Sequence, residues 1–321
     1  MNLNDFFESI ERKTNRLVEE RGLAAIPHRE VVNKILQFCQ IRCSILKNGQ
    51  TVKFTVPYQI VKSIDIVEKL NIEVTITDAT EDNSANGSGR VFLKEPIGWE
   101  KNKFKEATII INAFSYNGIL YERTILSSLY HELNHLYDFW NDYKNNCDLK
   151  RTVKTIKKTG KSISCQVTNN TQINQIISEI VYRLFSETEL NALIANTYGD
   201  LQGINSKRKM FQEDVAKTKA YVIYRGIKIK LNDIKKEITN TPNGVDNLRT
   251  YLRSCTIFLN PYSNSDADYL KEFFRKVAFL LKRLYKGIGR VSSLYYDTDE
   301  FEYPKPTIIS TAPETENVNF K

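Results

Sequence analysis

The apolar positions of this chain fall into two rhythms. Up to about residue 112, spacings of three and four alternate with every-second patterns. Residues 1–21 and 29–46 carry helical spacing, and Pro27 between them favours a break. T-V-K-F-T-V at 51–56 alternates as a strand does, and Pro57 ends it. Residues 58–70 return to helical spacing, and N-I-E-V-T-I-T-D at 71–78 alternates again. A Gly, Asn and Ser cluster at 83–89 predicts a loop. V-F-L at 91–93 predicts a short strand, and A-T-I-I-I-N at 107–112 gives the strongest strand signal of all.

Beyond about residue 120 the pattern is mostly helical. Residues 121–143 contain no Pro or Gly, and apolar residues recur at 125, 126, 129, 133, 136, 137 and 140. Residues 144–171 are polar and basic, which predicts a long loop or a hairpin with T-G-K at its tip. Further helices are expected at 172–198, 206–238, 244–256 and 264–290. No internal repeat is visible. The fold class is therefore expected to be α+β, with N-terminal helices on a small mixed sheet and a mostly helical C-terminal lobe. The expected organisation is an α+β lobe over 1–120, a pair of long helices over 121–200 with a basic insertion at 144–171, and a helical lobe over 201–298. Residues 299–321, with Pro304, Pro306 and Pro313, read as a flexible tail.

Composition narrows the class. Of the 321 residues, 41% are hydrophobic, enough for a sizeable core, and the charged share of 26% argues against disorder of the bulk. No apolar run is long enough for a bilayer, so no membrane partner is expected. The N-terminus is charged from its fifth residue and reads as an amphipathic helix, not a leader. Five cysteines without a leader suggest free thiols in a reducing compartment, and a cytoplasmic protein. Cys39 and Cys43 lie four apart, but no matching Cys or His pair exists elsewhere, so they read as buried thiols.

The net charge of +8 permits contact with nucleic acid without demanding it. Lys144, Lys150, Arg151, Lys154, Lys157, Lys158 and Lys161 form a basic run, with Lys207, Arg208 and Lys209 further on. Residues 144–171 carry no aromatic residue on which bases could stack. A solvated flap is the preferred reading, with nucleic-acid binding as an alternative.

The chemistry concentrates in L-Y-H-E-L-N-H-L-Y-D, residues 129–138. A chain with only three histidines places two of them, His131 and His135, four apart on a predicted helix. At that spacing both imidazoles share one face and can bind one zinc ion at about 2.0–2.1 Å. Glu132 points beside such a metal, where it can act as a general base. A catalytic zinc needs a third protein ligand, and no histidine follows at the spacing of three-histidine sites. A carboxylate must come from elsewhere, and the later helix carries Glu179, Glu187 and Glu189. His28, after Pro27, reads as a surface or capping residue.

The strand followed by an H-E-x-x-H helix and a second glutamate-bearing helix resembles the gluzincin metallopeptidases, and the flanking lobes resemble stand-alone zinc peptidases encoded in bacterial and phage genomes. The resemblance covers roughly residues 105–200 and implies a zincin-like fold. It implies that His131, His135 and a glutamate hold zinc, and that Glu132 activates water to cut a peptide or protein substrate. In that family the residue three after the ligand glutamate is small. Ala192 makes Glu189 the preferred ligand over Glu187, which has Leu190 at that place. The resemblance also implies that the strand at 107–112 pairs with an extended peptide. A tyrosine such as Tyr198, Tyr221 or Tyr224 is a candidate to stabilise an oxyanion, with core packing the more ordinary role for each. Asp138 is a candidate to orient an imidazole. A non-catalytic scaffold on the same fold is the remaining alternative; the intact Glu132 argues against it.

Overall fold

The computed structural model describes residues 23–47, 49–79, 87–94, 99–100, 102–146, 164–204, 211–261, 263 and 265–297. The helix expected over 1–21, most of the basic segment and the tail lie outside them. The fold is α+β with a small mixed sheet. After helix α1 (Arg29–Cys43), strand β1 (Thr51–Thr55) and a single turn α2 (Tyr58–Val61), the long strands β2 (Val67–Ala79) and β5 (Lys103–Tyr116) form the parallel centre. β1 pairs with β2 and β3 (Ser88–Leu93) with β5, both antiparallel. Two short strands, β4 (Trp99–Glu100) and β6 (Ile119–Leu120), also pair with β5.

Burial alternates along β2 and β5. Leu70, Ile72, Val74 and Ile76 line one face beside Phe104, Ala107, Ile109 and Ile111. Helix α3 (Glu122–Asn146) packs across β5 and β3. It runs back along the sheet, with Phe104 near Tyr143 at one end and Gly87 against Thr124 at the other.

Three expectations change around the sheet. The helix over 58–70 stops after one turn, and β2 begins at Val67. Ile64, Ile66, Val67 and Leu70 suit either period; pairing Val67 with Phe104 settles it, and β-branched residues fit that pleated surface. The strand signal at 107–112 belongs to an interior strand, since β5 is hydrogen-bonded on both sides and has no edge for a peptide. Among the described residues β3 pairs with β5 alone, so the sheet edge on that side is β3. It begins at Ser88, earlier than the expected 91 and inside the expected loop.

The helix expected over 172–198 divides in two. Helix α4 (Thr171–Glu179) runs into a π turn over Ile180–Leu184, and α5 (Glu187–Gly203) begins anew after Ser186. Ser186 is extended, and its hydroxyl accepts the Glu189 backbone N–H, so it caps the new helix. The helix expected over 206–238 likewise divides into α6 (Phe211–Lys217) and α7 (Lys219–Asn240), with Thr218 as the cap. Helices α8 (Gly244–Ser254) and α9 (Asp266–Tyr296) complete the chain's helical half. Phe185 stacks on Phe273 of α9, and Gly287 of α9 receives Ile194 of α5. The buried residues form one continuous core from α1 to α9.

Helices α3 and α5 approach at backbone distance. A Cβ on Gly199 would stand 2.5 Å from the Leu126 carbonyl oxygen, and one on Gly203 2.4 Å from the Arg123 Cα. Neither neighbour can step aside. Gly199→Ala should therefore force the helices apart and cost about 1–3 kcal/mol of stability. Chemical denaturation measures this, and an unchanged midpoint would refute the close packing.

Candidate metal centre

The centre is built where α3 and α5 cross. On α3, i,i+4 spacing brings His131 and His135 to one face, with their Nε2 atoms 3.1 Å apart. On α5, the Ser186 cap places Glu189 in the first turn with its side chain turned toward the histidines. Glu189 Oε1 is 3.4 Å from His135 Nε2, and Oε2 is 3.6 Å from His131 Nε2. Glu189 is only 3% exposed. Glu187, two residues earlier, is 51% exposed at its side chain and pairs with Arg283. Glu179 is also half-exposed and holds Arg183. Among the three glutamates expected as candidates, Glu189 alone reaches the histidine pair.

These donors form the one group of three or more metal-ligating side chains among the described residues, with atoms within 4.8 Å of one another. An ion about 2.1 Å from three tetrahedral donors spaces those donors about 3.4 Å apart. The two imidazole nitrogens are 3.1 Å apart, and each meets a different carboxylate oxygen of Glu189, His135 at 3.4 Å and His131 at 3.6 Å, separations of that order. Glu189 Oε2 is buried without a hydrogen-bond partner, 3.6 Å from His131 Nε2 and 3.8 Å from Arg183 Nη1, an open coordination valence at the cluster. Two nitrogens and one carboxylate oxygen suit zinc and leave a fourth position free. The Nδ1 atoms of both rings lack hydrogen-bond partners among the described residues. Packing orients them instead, and His135 stacks against Phe139 with ring centroids 6.1 Å apart.

Electrostatics follow from burial. Burial holds the Glu132 carboxyl up to about 7, with the Glu189 charge adding to it and His135, Lys219 and Arg90 opposing. A dication beside it would draw it back toward the ionised form. Burial lowers His131 to about 4. Burial alone would lower His135 too, but Glu189, Glu132 and Asp138 outweigh it and raise that pKa. Glu189 stays ionised against its burial because both histidine rings stand close to its carboxylate.

Around this centre lie residues that sequence reasoning assigned differently or missed. Asp138, 1% exposed, accepts from Asn134 at 3.3 Å and from Asn191 at 3.4 Å, and its charge bears on His135. Arg283 in turn donates to Asn191 Oδ1 at 3.1 Å, tying α9 to the site. Tyr198 packs edge-on against Tyr130 and Tyr295. Tyr221 and Tyr224 pack with each other, and Tyr224 stacks on Tyr285. All three belong to the core. The tyrosine at the site is Tyr182, whose hydroxyl donates to Glu189 Oε1 at 3.1 Å. Its π turn is closed by the Phe185 N–H on the Ile180 carbonyl, a geometry invisible to a 3.6-residue reading. His28 stacks on Tyr137 and hydrogen-bonds its hydroxyl, remote from the centre in sequence and partners. Of the basic run, Lys144 is described, over the Trp140 ring at 4.8 Å. Cys39 and Cys43 are buried free thiols, and burial pushes Cys39 up to about 12. No helix among the described residues is long and apolar enough to cross a membrane.

Glu189→Ala should lower zinc affinity by more than about 100-fold, beyond what loss of a supporting residue costs, while Glu187→Ala should change it little. Competition with a chromophoric chelator separates the two, and equal losses would remove Glu189 from the ligand set. Neither a family model, nor a curated protein, nor a solved structure matches the chain.

Proposed function

We propose that the chain is a zinc-dependent peptidase with a zincin-like arrangement of the gluzincin kind. The observation that carries this reading is the triangle of His131, His135 and Glu189, the last two buried, with Glu132 beside it. A purely structural zinc site has no use for that fourth group, a carboxyl 4% exposed that is not one of the three ligands. When bound, zinc supplies Lewis acidity and lowers the pKa of a water ligand. His131, His135 and Glu189 would hold it.

The remaining work falls to this chain's own residues. Glu132 takes a proton from the attacking water and returns it to the leaving amine. The sheet edge bears on the same atom. A Cβ on Gly89 would stand 2.5 Å from Glu132 Cγ, so β3 passes directly over the base. An extended peptide adding to β3 through its backbone would lie alongside Glu132. That transfers to β3 the role expected for residues 107–112. Tyr182 is 42% exposed, and its hydroxyl lies on the ligand carboxylate, so it is the tyrosine placed to donate to a developing oxyanion.

Glu132→Gln should retain zinc and lose about 10²–10⁴-fold in peptide cleavage, because it removes a base and not a ligand. Metal content and turnover of a mixed peptide library, measured on the same preparation, test this. Undiminished turnover would refute the mechanism.

A further inference from the structure

Two packed helices carry an excess of positive charge that the peptidase mechanism does not use. Helix α7 has six cations against two acids and α9 seven against three, an excess equal to the whole chain's +8. The acids are largely engaged: Asp233 pairs with Lys230 at 2.9 Å, Glu272 with Arg275 at 2.8 Å and Asp266 with Arg249 at 3.2 Å. Arg283 turns inward to Asn191 and Glu187. Lys271, Arg275, Lys282, Lys286 and Arg290 are all exposed. At 3.6 residues per turn they fall within about 100° of one another, so they form one outward stripe along α9.

The α7 side matches it. Arg225, Lys228, Lys235 and Lys236 are exposed and also lie within about 100° round their helix. Two stacked rings join the helices, Tyr224 of α7 and Tyr285 of α9, with centroids 4.7 Å apart and planes at 17°. Lys228, one turn beyond Tyr224, donates to its hydroxyl at 3.0 Å. Lys282 stands one turn before Tyr285 on α9. The two stripes therefore border one seam. Among the described residues Arg225, Lys228, Lys282 and Lys286 have no ion pair.

Like charges held along a rod repel one another, and a partner with a regular row of anions relieves that repulsion. From Lys271 to Arg290 the stripe runs about 29 Å at 1.5 Å per residue, which is about eight nucleotide steps of 3.4 Å. The rings in the seam face each other and Lys228 covers Tyr224, so the seam offers cations to phosphates but no platform to unpaired bases, which favours a duplex. The apolar face of α9 is buried in the core, so the stripe has none to insert into a lipid surface.

We infer that the surface of α7 and α9 binds the phosphate backbone of a nucleic-acid duplex, without reading its sequence. This interaction uses none of the metal ligands and stands whether or not the chain cuts peptides. Its residues are also distinct from the basic run at 144–161, so it does not depend on that segment.

Fluorescence anisotropy of a labelled duplex of mixed sequence, made once as DNA and once as RNA, tests this with the full chain between about 50 and about 200 mM salt. Affinity should fall steeply as salt rises, with a log–log slope of about −4 for about five phosphate contacts. Lys282→Gln with Lys286→Gln should weaken binding at least about tenfold at about 100 mM salt and flatten the slope by about 2. Lys47→Gln with Lys62→Gln removes the same charge from exposed lysines elsewhere and should change binding less than about twofold, because salt screens distant charges. Losses confined to the α9 pair support the inference whichever duplex binds, and the tighter duplex identifies the nucleic acid. Equal losses in both pairs, binding untouched by the α9 pair, or no duplex binding at the lowest salt would overturn it. Binding to phosphatidylserine vesicles but to neither duplex would overturn it in favour of a membrane surface.

Discussion

A buried carboxylate facing two imidazoles organises this molecule. Glu189 lies almost wholly out of water, and an isolated charge there would cost several kcal/mol. The cost is offset from three sides: His131 and His135 on α3, the Tyr182 hydroxyl from the π turn, and Arg183 at longer range. The partners come from two local devices, and a third orients the carboxylate itself. Helical spacing supplies the histidines, an extra residue in the preceding turn supplies Tyr182 and Arg183, and the Ser186 cap orients the first turn of α5. The glycine contacts of Gly199 and Gly203 with α3 then fix how near the carboxylate can come. Remove the close approach and the charge loses its partners, so packing and electrostatics at this crossing depend on each other.

The helical half continues that constraint outward. Arg283 of α9 holds Asn191, Asn191 holds Asp138, and Asp138 bears on His135. Gly287 of the same helix makes room for Ile194 one face away. Arg283, 92 residues beyond Asn191, is thus coupled to an imidazole by two side chains. The sheet supports the other side. β5 carries α3 along its length, and β3 comes near enough to touch Glu132 because residue 89 has no side chain.

Much of this was legible in the sequence where the signal is local. Residues 121–143 lack helix breakers and keep one apolar stripe, so the helix and the placement of His131, Glu132 and His135 follow from spacing alone. Ala192 pointed to Glu189 because a close helix crossing needs small residues on that face. The break before α5 was also written in the sequence. S-E-T-E, Ser186 to Glu189, has the spacing of a capping box, yet its glutamate turns to the histidines instead of back to the cap. The apolar period of 172–198 masked it. Residues 58–70 misled for the opposite reason: a run of Ile and Val satisfies two periods, and only the non-local pairing with β5 chooses between them. Tyr182 and Arg183 had no local signature at all. Their places at the site arise from a π turn.

The edge strand shows how one small residue links fold to chemistry. A sheet edge presents unpaired backbone groups and ordinarily invites any extended chain. Here the edge is short, and at Gly89 it runs against the Glu132 side chain. A Cβ at residue 89 would stand 2.5 Å from Glu132 Cγ and 2.8 Å from Oε1, so a side chain there would turn the flexible Glu132 carboxyl away from its position. On the proposed reading, the surface that receives a peptide and the base that activates water meet at this residue, so the absence of a Cβ at Gly89 bears on both the path of the incoming strand and the position of the carboxyl beside it.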